Sequence, residues 1–155
     1  MHARRQHAIN LALRDGGRSR FIVTGDVDSQ EWLDAYERFL QAEPAGHVLW
    51  DLTEGSLAVL SSADVRDLAL RVEAIREGRQ AGGRFAFVCP RDVDFGIARM
   101  LVTYAGCSDP RAPMQVFRDL EEAWRWLSCA NAAECLRENR RSHGHVARPT
   151  PPAAG

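Results

Sequence analysis

The sequence predicts an α/β fold: a mixed, mostly parallel sheet of about five strands and about four helices, in the order ββαβαβαβα. Three observations lead there. Short apolar runs, such as Val48-Leu49-Trp50-Asp51-Leu52 and Arg84-Phe85-Ala86-Phe87-Val88-Cys89, alternate with longer stretches whose apolar residues recur every three or four positions. Each of those longer stretches can carry a crossover between parallel strands, which is right-handed as a rule. The first two runs are separated by the turn Asp15-Gly16-Gly17, so they form a hairpin whose first strand is antiparallel and lies at or near an edge.

The elements follow in order. Residues 8–13 alternate moderately, and Phe21-Ile22-Val23-Thr24 is the second hairpin strand. Asp28 or Ser29 caps the first helix, with Glu31 placed three after Asp28 as in a capping box. Its stripe is Trp32, Ala35, Tyr36, Phe39 and Leu40, and Pro44-Ala45-Gly46 stops it. Residues 47–52 are apolar on both faces, the pattern of a strand covered on both sides. Ser61 or Ser62 caps the second helix, with Val65, Leu68, Ala69, Val72 and Ile75 inward; Gly78 and Gly82-Gly83 end it.

Pro90 closes the strand 84–89, and Asp92 or Asp94 opens a third helix with Val93, Ile97, Leu101 and Tyr104 inward, closed by Gly106. Residues 114–117 form the last strand. Asp119 and Glu122 make a further capping box, before a stripe of Leu120, Ala123, Trp124 and Leu127. Residues 1–7 are expected to be a flexible N-terminus and 8–135 the domain. Residues 136–155, rich in Arg, His and Pro, cannot bury enough surface to offset ordering entropy and are expected to be a disordered tail.

Composition excludes several classes. The chain has 155 residues, 45% hydrophobic and 26% charged, which fits one domain with one core. A net charge of -1 argues against a nucleic-acid partner. All 20 basic residues are arginine, so lysine chemistry is not available. No apolar run approaches the ~20 residues of a membrane span, no signal peptide is recognisable, and the expected compartment is the cytoplasm. There a reducing environment would keep Cys89, Cys107, Cys129 and Cys135 as thiols. On one helix Cys129 and Cys135 would stand about 240° apart and could not pair.

The stretches Val23-Thr24-Gly25, Val48-Leu49-Trp50-Asp51-Leu52, Gly83-Arg84-Phe85-Ala86-Phe87-Val88 and Val116-Phe117-Arg118-Asp119, with Ala123 and Trp126-Leu127, resemble the STAS superfamily. Within it, the domains of sulfate transporters and anti-sigma factor antagonists, the closer resemblance is to the bacterial SpoIIAA-like group. It covers residues 8–127 and rests mostly on structural positions, which identify a fold better than a task. In anti-sigma factor antagonists a serine at the start of the helix after the Asp-Leu strand is phosphorylated. The matching stretch is Leu60-Ser61-Ser62-Ala63, which lacks the family's preceding Asp and following Gly. Ser61 and Ser62 are therefore expected to be helix caps and candidate phosphosites. A phosphate there would add about -2 charge at a helix N-terminus.

Ligands of open α/β sheets collect beyond the carboxyl ends of the strands. Asp51, Thr53 and Glu54, then Arg91 and Asp92, then Arg118 and Asp119 are expected at that edge, as a ligand or partner surface or as ordinary turn chemistry. Cys89, just before a helix, is the best nucleophile candidate, but Asp92 and Asp94 put negative charge beside it and no histidine is placed to assist. His143-Gly144-His145 lacks supporting ligands, and no phosphate-binding glycine loop follows a strand. Trp124 and Trp126 cannot both point inward, which makes Trp126 a candidate interface aromatic or a lid on the sheet edge.

The expected function is thus a non-enzymatic STAS-like regulatory or protein-interaction module, with no cofactor and no metal. Its partner is another protein or a second copy of the chain. The alternative is a carrier for a small apolar or lipid-like ligand held between helices and sheet, since SpoIIAA-like proteins resemble a lipid-binding fold in layout.

Overall fold

The computed structural model describes residues 9–15, 18–42, 46–77, 83–105 and 113–129. The expected flexible start, the tail 136–155 and residues 130–135 lie outside the described residues, as do the turn glycines at 16, 17, 78, 82 and 106.

The elements are β1 (Ile9–Asp15), β2 (Arg18–Asp26), α1 (Ser29–Ala42), β3 (His47–Ser56), α2 (Ser62–Glu77), β4 (Phe85–Val88), α3 (Asp92–Tyr104), β5 (Met114–Phe117) and α4 (Leu120–Ser128). They form an α/β domain in the expected order, around a five-stranded mixed sheet. Strands lie in the order β1-β2-β3-β4-β5; β1 is antiparallel to β2 and every later pair is parallel.

Each crossover steps to the next strand in the same direction. Right-handed connections taken that way place every crossover helix on one face. Packing agrees: Trp32, Tyr36 and Phe39 of α1, Val65, Leu68 and Val72 of α2, and Ala98 and Leu101 of α3 share one core with Phe21, Val48, Trp50, Phe85 and Phe87. On the other face, among the described residues, α4 packs through Ala123, Trp126 and Leu127 on Leu49, Ala86, Val88 and Phe117. The strand order never reverses, so the sheet has no topological switch point, the place where ligands of open α/β sheets gather.

Rings fill the space between α1 and the sheet. Trp50 stacks on Phe21 with centroids 4.7 Å apart and lies 4.6 Å from Trp32, which in turn stacks on Phe87 at 5.7 Å. Tyr36 lies 5.4 Å from Phe85. Such pairs add about 0.5–1.5 kcal/mol each beyond the area they bury.

Local capping follows the sequence. Asp28 Oδ1 accepts from Glu31 N–H at 2.9 Å, while Glu31 Oε2 accepts from Asp28 N–H at 3.1 Å. Asp119 accepts from the N–H groups of Glu121 and Glu122. Three expectations are corrected. On α3 the inward stripe is Asp94, Ala98, Leu101 and Val102, while Val93 and Tyr104 are exposed; the helix is turned to bury a carboxylate that the apolar pattern ignored. Trp126 is no interface aromatic: it is 3% exposed, with Phe117 at 5.6 Å and Arg84 over its ring, and Trp124 is the half-buried one. Cys129 is disulfide-bonded rather than a thiol. It follows the end of α4 with extended backbone, φ -71 and ψ 137, so the helical spacing argument does not reach it; its bonding partner lies outside the described residues. No helix of the described residues is long and apolar enough to cross a membrane.

Candidate functional site

At the carboxyl edge β3 outruns β4. Its pairing with β4 ends at Asp51–Val88, but it continues beside β2 through Glu54, Gly55 and Ser56 after a register shift. Gly55 allows this close approach: a Cβ there would stand 2.6 Å from Val23 Cγ1 and 2.7 Å from Val23 O. From Ser56 the chain turns at residues 57–60, with Leu60 N–H donating to Leu57 O, and enters α2.

Ser61 is the cap of α2. Its Oγ accepts from Asp64 N–H at 3.1 Å, and Asp64 Oδ2 accepts from Ser61 N–H at 2.9 Å. The Ser61 N–H and hydroxyl hold the Asp64 carboxyl below its ordinary value. Ser62 is the first residue of α2, exposed on its opening turn. The two serines left open by the sequence thus separate into one engaged cap and one outward neighbour.

The start of α3 stands against this turn. Arg91 occupies the N-cap position without a side-chain capping bond. Instead its Nε lies 2.9 Å from Asp94 Oδ2, and its guanidinium donates to Gly55 O. Asp94 is wholly buried and accepts from Leu57 N–H at 2.8 Å and Ser56 Oγ at 3.0 Å. Beside them Arg118, just past β5, pairs with Asp92 Oδ1 at 2.6 Å and stacks on Phe95 with 4.2 Å between guanidinium and ring centroid. The end of β5 is thereby clipped to α3.

Asp51 is not part of that group. By strand alternation it faces the α4 side, following Leu49, whereas Trp50 and Leu52 face the other core. Arg20 of β2 donates to Asp51 Oδ2 at 2.6 Å. Thr53 donates to Oδ1 through its backbone at 3.0 Å and its hydroxyl at 2.5 Å. Burial would raise the Asp51 pKa, but the Thr53 hydroxyl, Arg20 and the Thr53 N–H together overcome it and hold the group below its ordinary value. Arg20 Nε is buried without a hydrogen-bond partner, so this contact is made by one guanidinium nitrogen only.

The residues expected at one edge therefore fall into separate sets. Arg91, Asp92 and Arg118 come together at the start of α3; Asp51 and Thr53 join Arg20 on the α4 face; Glu54 is exposed on the β2–β3 overhang. Cys89 is buried and its thiol is pushed up to about 12, first by burial and then by the Asp94 charge, which disarms it as a nucleophile. Among the described residues no group of three or more His, Cys, Asp or Glu is arranged to hold a metal ion.

Sequence reasoning missed Asp94, Arg20 and Gly55. Asp94 is the third residue of α3, where an acidic side chain is ordinary, so only its burial distinguishes it. Arg20 is one of three charges in β2, on its half-buried face, and its meeting with Asp51, two places along the ladder, comes only from the strand register. Compared with known proteins, the chain matches no protein-family profile and no curated protein.

Proposed function

We propose that the chain is a non-enzymatic, STAS-like protein-interaction module whose partner surface is formed by the start of α2 and the start of α3. The observation that supports it is the exposure of apolar side chains where these two helices begin. Val59 is 52% and Val93 53% exposed, and the Leu57–Asp94 contact holds their segments side by side. Each exposed valine has polar neighbours along the chain, Ser61 and Ser62 after Val59 and Arg91 and Asp92 before Val93, a composition suited to an apolar contact with a polar rim. The charged groups around it are engaged with one another, as in Arg91–Asp94 and Arg118–Asp92, rather than aimed at a shared point.

In this reading Ser62 is the modification point. A phosphate on it would place about -1.5 to -2 charge beside the valines at a helix N-terminus. On Ser61 the same group would disrupt the cap with Asp64. The ring-filled layer between α1 and the sheet favours this reading over that of a carrier for an apolar ligand.

The test compares proteins captured by the wild-type chain, Val59→Asp/Val93→Asp and Ser62→Asp in the native cell, with native mass spectrometry of each purified chain. A partner or second copy held by the wild type and lost from the double variant supports the proposal. An unchanged set of captured proteins sinks it, and a co-purified apolar small molecule would favour the carrier.

A further inference from the structure

We propose that the Asp94 carboxylate is the positioning residue of this surface: it fixes the approach to α2 onto the first turn of α3, so that both helix starts are presented as one rigid unit. The inference rests on reading this edge as the partner surface, although its test requires no partner. A buried carboxylate is costly unless engaged, and a helix start needs none at this depth; Asp94 Oδ1 accepts two hydrogen bonds while Oδ2 has the Arg91 ion pair alone. The starts of α1 and α4 are capped locally by Asp28 and Asp119. At α3, whose first turn carries both Asp92 and Asp94, the Asp94 side chain is directed to another element instead.

From that one turn, three consecutive residues leaving β3 are held. Arg91 takes Gly55 O, and Asp94 Oδ1 takes Ser56 Oγ at 3.0 Å and Leu57 N–H at 2.8 Å. Ser56 passes the hold onward, since its Oγ accepts from Ala58 N–H at 3.1 Å. The Leu57–Leu60 turn then delivers the chain to the Ser61 cap. Removing Asp94 leaves the Leu57 N–H and the Ser56 hydroxyl buried or half-buried without their acceptor, and the loss reaches through residues 56–61 into the first turn of α2.

Hydrogen exchange of the full chain, read peptide by peptide and set against each variant's urea midpoint, tests this. Asp94→Ala is expected to speed exchange over residues 57–65 by about tenfold beyond the change in global stability, with β2 and β3 amides following global stability only. Asp94→Asn keeps an oxygen acceptor and should restore most of that protection. Ser56→Ala, a milder change that carries the test if Asp94→Ala does not fold, should speed exchange at residues 58–61 by about threefold. Unchanged exchange over 57–65, or a rise shared equally by the hairpin amides, would overturn the proposal and leave Asp94 as an ordinary core residue. Localised exchange with an unchanged set of captured proteins would keep the joint and remove the partner reading; the converse would do the opposite.

Discussion

Arg20 of β2 and Asp51 of β3 meet at 2.6 Å across neighbouring strands, with Asp51 only 3% exposed. Their Cα partners in the ladder are offset: Arg20 stands opposite Leu49, and Asp51 opposite Ile22. The pair is therefore diagonal, and it is closed by Thr53 from the same strand. Phe21, Val23, Trp50 and Leu52 of these strands face the larger core, so the ion pair lies on the opposite face, where α4 packs on Leu49.

This arrangement predicts an acid limb in stability. Asp51 has a folded pKa below its ordinary value of 3.8, so its contribution is present above about pH 4 and is lost as pH falls below that. Asp51→Asn should cost about 1–2 kcal/mol near neutral pH, because Arg20 is partly solvated and can rehydrate. Urea titrations from pH 7 to pH 3 should show the gap between wild type and variant closing at the acid end. A gap that stays constant with pH would exclude the linkage.

The two serines should behave differently. Ser61→Ala removes a helix cap and is expected to lower stability by about 1 kcal/mol, while Ser62→Ala should leave it unchanged within about 0.5 kcal/mol. Equal effects in chemical denaturation would contradict the assignment of Ser61 as the cap.

Gly55 tolerates no larger residue. In Gly55→Ala the new methyl would press on backbone and side chain of Val23 at 2.6–2.7 Å. Overpacking of this kind costs about 1–3 kcal/mol, whereas Gly96→Ala, which meets nothing within 4 Å at an exposed position of α3, should be neutral or gain up to about 1 kcal/mol. Thermal melts of the two variants provide the contrast, and a Gly55→Ala melt matching the wild type would show that β2 and β3 can part there.

Thiol reactivity reports on both described cysteines. Cys89 should resist alkylation at pH 8 in the folded chain and react on denaturation, because it is buried and its thiol is pushed up to about 12. Peptide mapping without reductant should find Cys129 in a disulfide. Recovery of Cys129 as a free thiol from non-reduced protein would contradict that bond.

Apolar spacing in the sequence was enough to read the order of elements. Trp32, Ala35, Tyr36 and Phe39 recur at helical intervals and all are buried; residues 48–52 and 85–88 are covered on both faces, as their runs, apolar but for Asp51, imply. Capping at Asp28 and Asp119 was equally legible, since a capping side chain and the N–H it accepts from lie two or three residues apart. The exception was α3, whose stripe reads inward through Val93 and Tyr104 by hydropathy but turns to bury Asp94.

Local sequence, then, determined the alternation of strands and helices, because side-chain period and capping act over a few residues. It also picked out Asp51, Thr53, Glu54, Arg91, Asp92 and Arg118 as polar candidates, although Asp51, Thr53 and Glu54 lie within β3 rather than past its end. Only the tertiary structure decided which of them meet. Asp51 joins Arg20 rather than Arg91, because one residue along a strand reverses the face. Asp94 reaches Leu57 from 37 residues away, and Cys89 is silenced by burial. Contacts of that range depend on how the sheet stacks its crossovers, and no spacing within a single element encodes them.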